Sequence, residues 1–126
     1  MAKTISESDV YLFAGITGDM NPMHINAQYA KDTRFQGRIA HGMLCAGLIS
    51  AVLGMQLPGP GCIYLGQQLK FVRPVYMGDT VTAEVTISSI DWAKKRVVLT
   101  TVCTNQEDET VVTGEATMLL PDGAKN

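Results

Sequence analysis

The sequence predicts an α+β fold in which an antiparallel β-sheet wraps around one long central helix. Helical signals come first in the 126-residue chain, and strand signals with a period of two follow. This segregated order is typical of α+β domains. One mostly apolar helix can cover the apolar face of such a sheet. The length, with 46% hydrophobic residues, predicts a single domain over residues 1–126 whose core needs neither a metal nor disulfides.

The first helix is predicted over residues 7–17. Ser6 is followed three positions later by Asp9, which is the spacing of a capping box. Gly18 follows the apolar residues of this stretch and can end the helix in a left-handed conformation. The sequence therefore fixes both ends of the first helix.

A loop is predicted over residues 19–24, and a short helix over residues 27–32. Asn21 is a turn former, and Pro22 disfavours helical geometry at the residue before it. Asn26 can cap the short helix that follows.

The long central helix is predicted to begin at His41 or Gly42 and to end by Leu57. Pro58 and the glycines and proline after it forbid continuation. Residues 39–57 carry no charge, and the stretch is close to the length that spans a bilayer. Glycines and polar side chains dilute this stretch, so a helix buried within a protein is favoured.

Everything after the long helix is predicted to be strand and turn. Apolar and polar residues alternate along residues 80–87, as expected for a strand with one buried face. Similar strands are predicted over residues 63–72, 96–105 and 111–120. A short antiparallel sheet of this kind leaves edge strands unpaired, and pairing two copies removes that liability. We therefore expect at least a homodimer.

Charge and cysteine usage limit the partners and the compartment. The formal net charge is −2 and no run of lysines or arginines is present, so neither nucleic acid nor a membrane surface is an expected partner. Cys45, Cys62 and Cys103 show no metal-ligand spacing and are expected as free thiols. Residues 1–10 lack the apolar core of a signal peptide. A cytoplasmic location is expected.

The two histidines of the chain lie in two distinctive runs beside helix boundaries. These runs are Asp19-x-Asn21-Pro22-x-His24 and Arg38-Ile39-Ala40-His41-Gly42-Met43. The first resembles the hydratase motif of MaoC-like (R)-specific enoyl-CoA hydratases, and the second resembles the HGM step into that family's central helix. The resemblance continues through residues 63–67, Phe71 with Pro74, residues 78–79 and residues 113–116.

This resemblance implies a hot-dog fold and reversible hydration of a trans-2-enoyl-CoA to an (R)-3-hydroxyacyl-CoA, without a cofactor or metal. It implies catalytic roles for Asp19, His24 and Gly42. Substrate binding is expected at Asn21, which bonds within the loop, and at His41 and Met43. His41 can equally serve as a helix cap, and Met43 as tunnel lining.

The chemistry supports these roles independently. Hydration needs a base for the attacking water, an acid for the α carbon and a donor for the enolate oxygen. Asp19 and His24, five residues apart across an Asn-Pro turn, can converge on one water. The N–H of Gly42 begins a helix and is therefore free to face the thioester oxygen.

Structural explanations and two other functions remain open. Singly, Asp19 can close a turn and His24 can be structural; together and in this order, they favour catalysis. A hot-dog acyl-CoA thioesterase would direct water at the carbonyl and would not need His24. A non-catalytic acyl-CoA-binding or dimerisation module of a larger polypeptide is left open by the abrupt start and by Gly47, where many relatives have serine, although Asp19 and His24 argue against it.

Overall fold

The computed structural model of the chain describes residues 1–124 and contains five strands and four helices within them. In chain order these are β1 (Ala2–Thr4), α1 (Glu7–Thr17), α2 (Pro22–Ile25), α3 (Ala27–Lys31), α4 (Gly42–Met55), β2 (Ile63–Phe71), β3 (Thr80–Asp91), β4 (Arg96–Thr104) and β5 (Thr110–Leu119).

The five strands form one antiparallel sheet in the order β1-β3-β4-β5-β2. β1 and β2 are therefore its two edges. Helix α4 packs on one face of the sheet, mainly against β3. This arrangement confirms the predicted α+β architecture of a sheet around one helix.

The capping signals of α1 act as predicted. The Ser6 side chain accepts a hydrogen bond from the Asp9 N–H, and the Asp9 carboxylate accepts one from the Ser6 N–H. Gly18 ends the helix at a φ of 79°, and its N–H donates to the Ala14 carbonyl. Because α1 ends at Gly18, the loop that begins the first motif at Asp19 follows the helix directly.

Helix α4 supplies the centre of the core. Its buried side chains include Cys45, Ile49 and Leu53, which belong to the same cluster as Leu99 and Val111 of the sheet. No helix within residues 1–124 combines the length and the apolar character that a bilayer span requires. The predicted buried helix is confirmed, although it ends at Met55, two residues before the predicted limit.

Three local features differ from the sequence prediction. β1 was not predicted; it pairs only with the start of β3. β3 continues to Asp91 through an irregularity in pairing between Ile87 and Ser89, beyond the alternating stretch that predicted it. His24 lies not in a loop but in the single turn of α2, because Pro22 occupies the first helical position, where its missing N–H costs nothing.

Candidate active site

The loop between α1 and α2 presents the carboxylate of Asp19 at the protein surface. The Asp19 N–H donates to Thr17 Oγ1 over 3.1 Å, and Asp19 Oδ1 accepts a bond from the Asn21 N–H over 3.2 Å. The side chain is exposed in the single chain. The bond from the Asn21 N–H thus orients the carboxylate, and its second oxygen has no hydrogen-bond partner within residues 1–124.

Asn21 connects this loop to the helix that carries His24. Its Oδ1 accepts a hydrogen bond from the Met23 N–H over 3.1 Å and so caps α2. Its carbonyl accepts the N–H of His24 over 2.9 Å. Asn21 lines neither of the two cavities described below. The structure therefore gives Asn21 a positioning role between Asp19 and His24; its predicted contact with substrate stays a prediction.

His24 is held in one orientation by the segment that enters α4. Its Nδ1 lies 2.7 Å from the carbonyl oxygen of Ile39, and the N–H of Ile39 donates to the Met23 carbonyl. A carbonyl oxygen can only accept, so Nδ1 carries the proton, and Nε2 of the neutral ring has a free lone pair. The side chain is 9% exposed and lines a cavity. His24 thus offers one proton acceptor to that cavity.

His41 is buried behind these two residues. Its Nε2 lies 3.0 Å from the carbonyl oxygen of Asp19, to which it donates, and its side chain does not cap α4. The ring stacks on His24 and packs against Phe13. Its Nδ1 is buried and has no hydrogen-bond partner within residues 1–124. Since His41 lines neither cavity, the structure shows no contact surface for substrate on it.

Folding brings the side chains of Asp19, His24 and His41 together. One ligand-type atom of each lies within 4.8 Å of the others. One water molecule with two hydrogen bonds of about 2.8 Å can bridge a gap of this size. A carboxylate and two imidazoles are also a ligand set that suits divalent transition metals. The geometry supports proton transfer through a shared water.

A cavity of about 340 Å³, which we call the His24 cavity, lies beside His24 and Gly42. Gly42 is the first residue of α4, and its N–H has no acceptor within residues 1–124. A methyl group added at Gly42 would lie 2.6 Å from the ring of Phe71. Glycine is therefore the residue that lets the helix N-terminus and the Phe71 ring approach each other.

Cys45 lies in the wall of the His24 cavity but is not poised as a nucleophile. Burial raises the pKa of its thiol from 9.0 to about 11. The thiolate is the reactive form, so this thiol is inert at neutral pH. Cys45 instead belongs to the hydrophobic core.

A second, more open cavity of about 570 Å³ lies between α4 and the edge strand β2, and we call it the helix–edge groove. Met43 and Phe71 border both cavities, which agrees with the predicted tunnel-lining role of Met43. Gly47 lines the groove, and a side-chain carbon added there meets nothing within 4 Å. The groove therefore has room for the serine that the family resemblance predicts at this position.

Sequence reasoning missed the contacts that fix the site. The carbonyl of Ile39 orients His24, and the Asp19 carbonyl accepts a hydrogen bond from His41. Every residue has a main-chain carbonyl, so the residue type does not reveal these two acceptors. Arg34 and Arg73 also line the His24 cavity. They lie far apart in the chain, so only the fold brings them together.

Comparison with known proteins identifies the family. The sequence profile described as the MaoC like domain matches residues 1–108. The chain belongs to the MaoC-like family. It is 58% identical over 121 residues to an (R)-specific enoyl-CoA hydratase of Rhodospirillum rubrum, covering 96% of this chain and 83% of that protein. It is 47% identical over 121 residues to a 3-hydroxybutyryl-CoA dehydratase of Methylorubrum extorquens, covering 96% of this chain and 76% of that protein.

Solved structures agree with this assignment. The MaoC-like chain superimposes on an (R)-hydratase from A. caviae with a TM-score of 0.93 and 45% sequence identity, covering 96% of this chain and 92% of that chain. This similarity confirms the predicted hot-dog fold.

Proposed function

We propose that this MaoC-like protein is a lyase that adds water reversibly to a trans-2-enoyl-CoA and forms the (R)-3-hydroxyacyl-CoA. The observation that carries the proposal is the approach of the Asp19 carboxylate and a His24 ring nitrogen within 4.8 Å of each other, beside the free N–H of Gly42. Relatives named as hydratases and dehydratases of acyl-CoA support it.

In the proposed reaction, Asp19 and His24 Nε2 hold one water molecule. Its oxygen bonds to the β carbon of the enoyl group, and one of its protons passes to this pair. The pair returns a proton to the α carbon, so that the elements of water are added across the double bond. General acid–base catalysis of this kind contributes roughly 10²- to 10⁴-fold to the rate.

The thioester oxygen is proposed to lie against the Gly42 N–H. Negative charge develops on this oxygen when the β carbon is attacked, and the N-terminal end of α4 favours it. A thioester held there presents one face of its double bond to the water, so hydroxyl and proton arrive on the same face. The choice of the (R) product rests on the similarity to (R)-specific hydratases.

The remaining site residues act through these groups. We propose that Asn21 and His41 are positioning residues, because the Asn21 N–H donates to the Asp19 carboxylate and His41 Nε2 donates to the Asp19 carbonyl. Met43 borders both cavities and is proposed to contact substrate. The chemistry described needs no cofactor.

We also infer that two chains associate. β2 is an edge of the sheet and exposes apolar side chains such as Ile63, Leu65 and Phe71. Pairing of two such edges would cover them. Light scattering of the purified protein at micromolar concentration should give at least twice the mass of the 13.6-kDa chain. An active monomer would overturn this inference.

The function is tested with purified protein and crotonyl-CoA. Hydration removes the ultraviolet absorbance of the conjugated enoyl thioester without releasing a thiol. The product should be oxidised by an (R)-specific 3-hydroxyacyl-CoA dehydrogenase and ignored by an (S)-specific one. Release of free CoA instead would indicate a thioesterase, and binding without any reaction would indicate a non-catalytic module.

A further inference from the structure

Two arginine side chains lie at the exposed rim of the His24 cavity. Arg34 follows α3 and Arg73 follows β2, and both are exposed. Other residues that line the cavity are buried and apolar, among them Ala40, Val75 and Val112. The exposed part of the cavity lining therefore carries positive charge, whereas His24 belongs to the buried part.

The charge of Arg34 is not neutralised by any group within residues 1–124. Its guanidinium lies 5.1 Å from the centroid of the Phe35 ring, and no carboxylate within residues 1–124 forms an ion pair with it. Stacking on an aromatic face restrains a guanidinium and leaves its in-plane donors free. Arg34 thus presents an oriented and unpaired cation at the rim.

The Arg73 side chain is held by a main-chain carbonyl and a carboxylate. Its Nη1 donates to the Thr110 carbonyl over 3.0 Å, and its Nε lies 3.5 Å from a Glu109 carboxylate oxygen. The side chain remains exposed, and an exposed ion pair at this distance is weak. Its other terminal nitrogen is available to a ligand.

The placement of these two arginines contrasts with the rest of the charge. The chain has four arginines and a formal net charge of −2. Arg38 is bound to Glu7 and Tyr11, and Arg96 begins β4 at the end of the sheet remote from the cavity. Half of the arginines of an acidic protein therefore line one cavity, where an anionic ligand is favoured.

We propose that Arg34 and Arg73 bind the phosphate groups of the carrier that bears the enoyl thioester. This rests on the proposed function, because a thioester held at Gly42 leaves the flexible pantetheine arm to lead outward along the cavity. Coenzyme A and an acyl carrier protein both attach phosphate to pantetheine. The planar guanidinium fork matches phosphate oxygens in charge and geometry.

The test compares crotonyl-CoA with crotonyl-pantetheine, which has the same reacting atoms and no phosphate. Arg34→Ala and Arg73→Ala should each raise KM for crotonyl-CoA by about 3- to 10-fold, and leave kcat unchanged. KM for crotonyl-pantetheine should not change. Arg34→Lys should retain part of the affinity, because lysine keeps the positive charge but lacks the planar guanidinium donors.

Arg96→Ala is the matched control, since it removes the same charge at the far end of the sheet. Thermal melting and the kcat for crotonyl-pantetheine report whether each variant is folded. The wild-type KM for crotonyl-CoA should also rise with salt more steeply than that of Arg34→Ala. Parallel rises of KM for both thioesters would overturn the proposal, because the arginines would then only shape the cavity.

Two further measurements separate the carriers and the two proposals. A rise in KM confined to crotonyl-acyl carrier protein would support phosphate binding and identify the carrier protein as its source. Calorimetric binding of butyryl-CoA, which cannot be hydrated, does not depend on catalysis. Weaker binding by Arg34→Ala would support the arginine proposal even if no hydration occurred, and unchanged binding and KM with both carriers would overturn it.

Discussion

The imidazole rings of His24 and His41 stack with their centroids 3.9 Å apart and their planes inclined by 31°. Each ring donates one N–H to a main-chain carbonyl, that of Ile39 for His24 and that of Asp19 for His41. The histidine of the second motif therefore holds the aspartate of the first motif in place. This contact gives a physical reason for both motifs to occur in one site.

His41→Phe is expected to lower kcat about 10- to 100-fold with little change in KM, because Phe fills the stack but cannot hold the Asp19 carbonyl. His41→Gln keeps an N–H donor and should retain more activity than His41→Phe. Steady-state kinetics with crotonyl-CoA measures both, with melting curves as the control for folding. A wild-type kcat in His41→Phe would show that Asp19 does not depend on this bond.

Gly42→Ala is expected to lower kcat/KM by up to about 100-fold, because the added methyl group displaces the Phe71 ring and misplaces the thioester. Gly54→Ala on the same helix is the control, since a methyl group there meets nothing within 4 Å. Replacing Phe71 with Leu in the Gly42→Ala protein should restore part of the activity. Full activity of Gly42→Ala alone would refute the steric argument.

The buried thiols of Cys45 and Cys103 predict a loss of stability at high pH. Burial raises the pKa of Cys45 from 9.0 to about 11 and that of Cys103 to about 12. Between pH 9 and these values the unfolded chain releases thiol protons that the folded protein retains, so the free energy of unfolding falls as pH rises. Urea unfolding at pH 8 and pH 10 measures the fall.

Cys45→Ala should show a smaller fall than the wild type between these two pH values. Cys62→Ala serves as the comparison, because Cys62 is only partly buried. If Cys45→Ala and the wild type lost stability equally, the buried thiol would not be the cause.

Removal of metal ions is expected to leave hydration unchanged, since proton transfer between Asp19, His24 and water needs no Lewis acid. Added Zn²⁺ should inhibit, because it would occupy the free lone pair of His24 beside the Asp19 carboxylate. Activity before and after dialysis against a chelator, and then with Zn²⁺, tests both statements. Loss of activity on chelation, restored by a divalent metal, would contradict the cofactor-free mechanism.

Local signals in the sequence were sufficient for the long elements of the fold. Ser6, Asp9 and Gly18 determine α1 through bonds within a few residues, and alternation predicted the buried part of β3. β1 could not be predicted, because three residues carry no period and become a strand only by pairing with β3. The predicted loop extended to His24 because Pro22 was interpreted as a turn former, although proline is equally suited to the first position of a helix.

The candidate site, like the fold, could be predicted from the sequence only in part. Asp19, His24 and Gly42 were predicted as catalytic residues because the two motifs resemble those of MaoC-like hydratases and because hydration needs such groups. Their orientation depends on main-chain carbonyls and on a contact between residues 19 and 41, which lie 22 positions apart in the sequence. A single sequence does not record such contacts. It also does not show that Arg34 and Arg73 line the same cavity.

The central claim is that Asp19 and His24 act as one unit on one water molecule. The most direct measurement is the hydration rate of crotonyl-CoA by Asp19→Asn, His24→Gln and the double variant, each verified as folded by thermal melting. Each single change should lower kcat by about 10²- to 10⁴-fold, and the double variant should be about as slow as the slower single variant. Near wild-type turnover in either single variant, or a double variant whose loss equals the product of the two single losses, would contradict the claim.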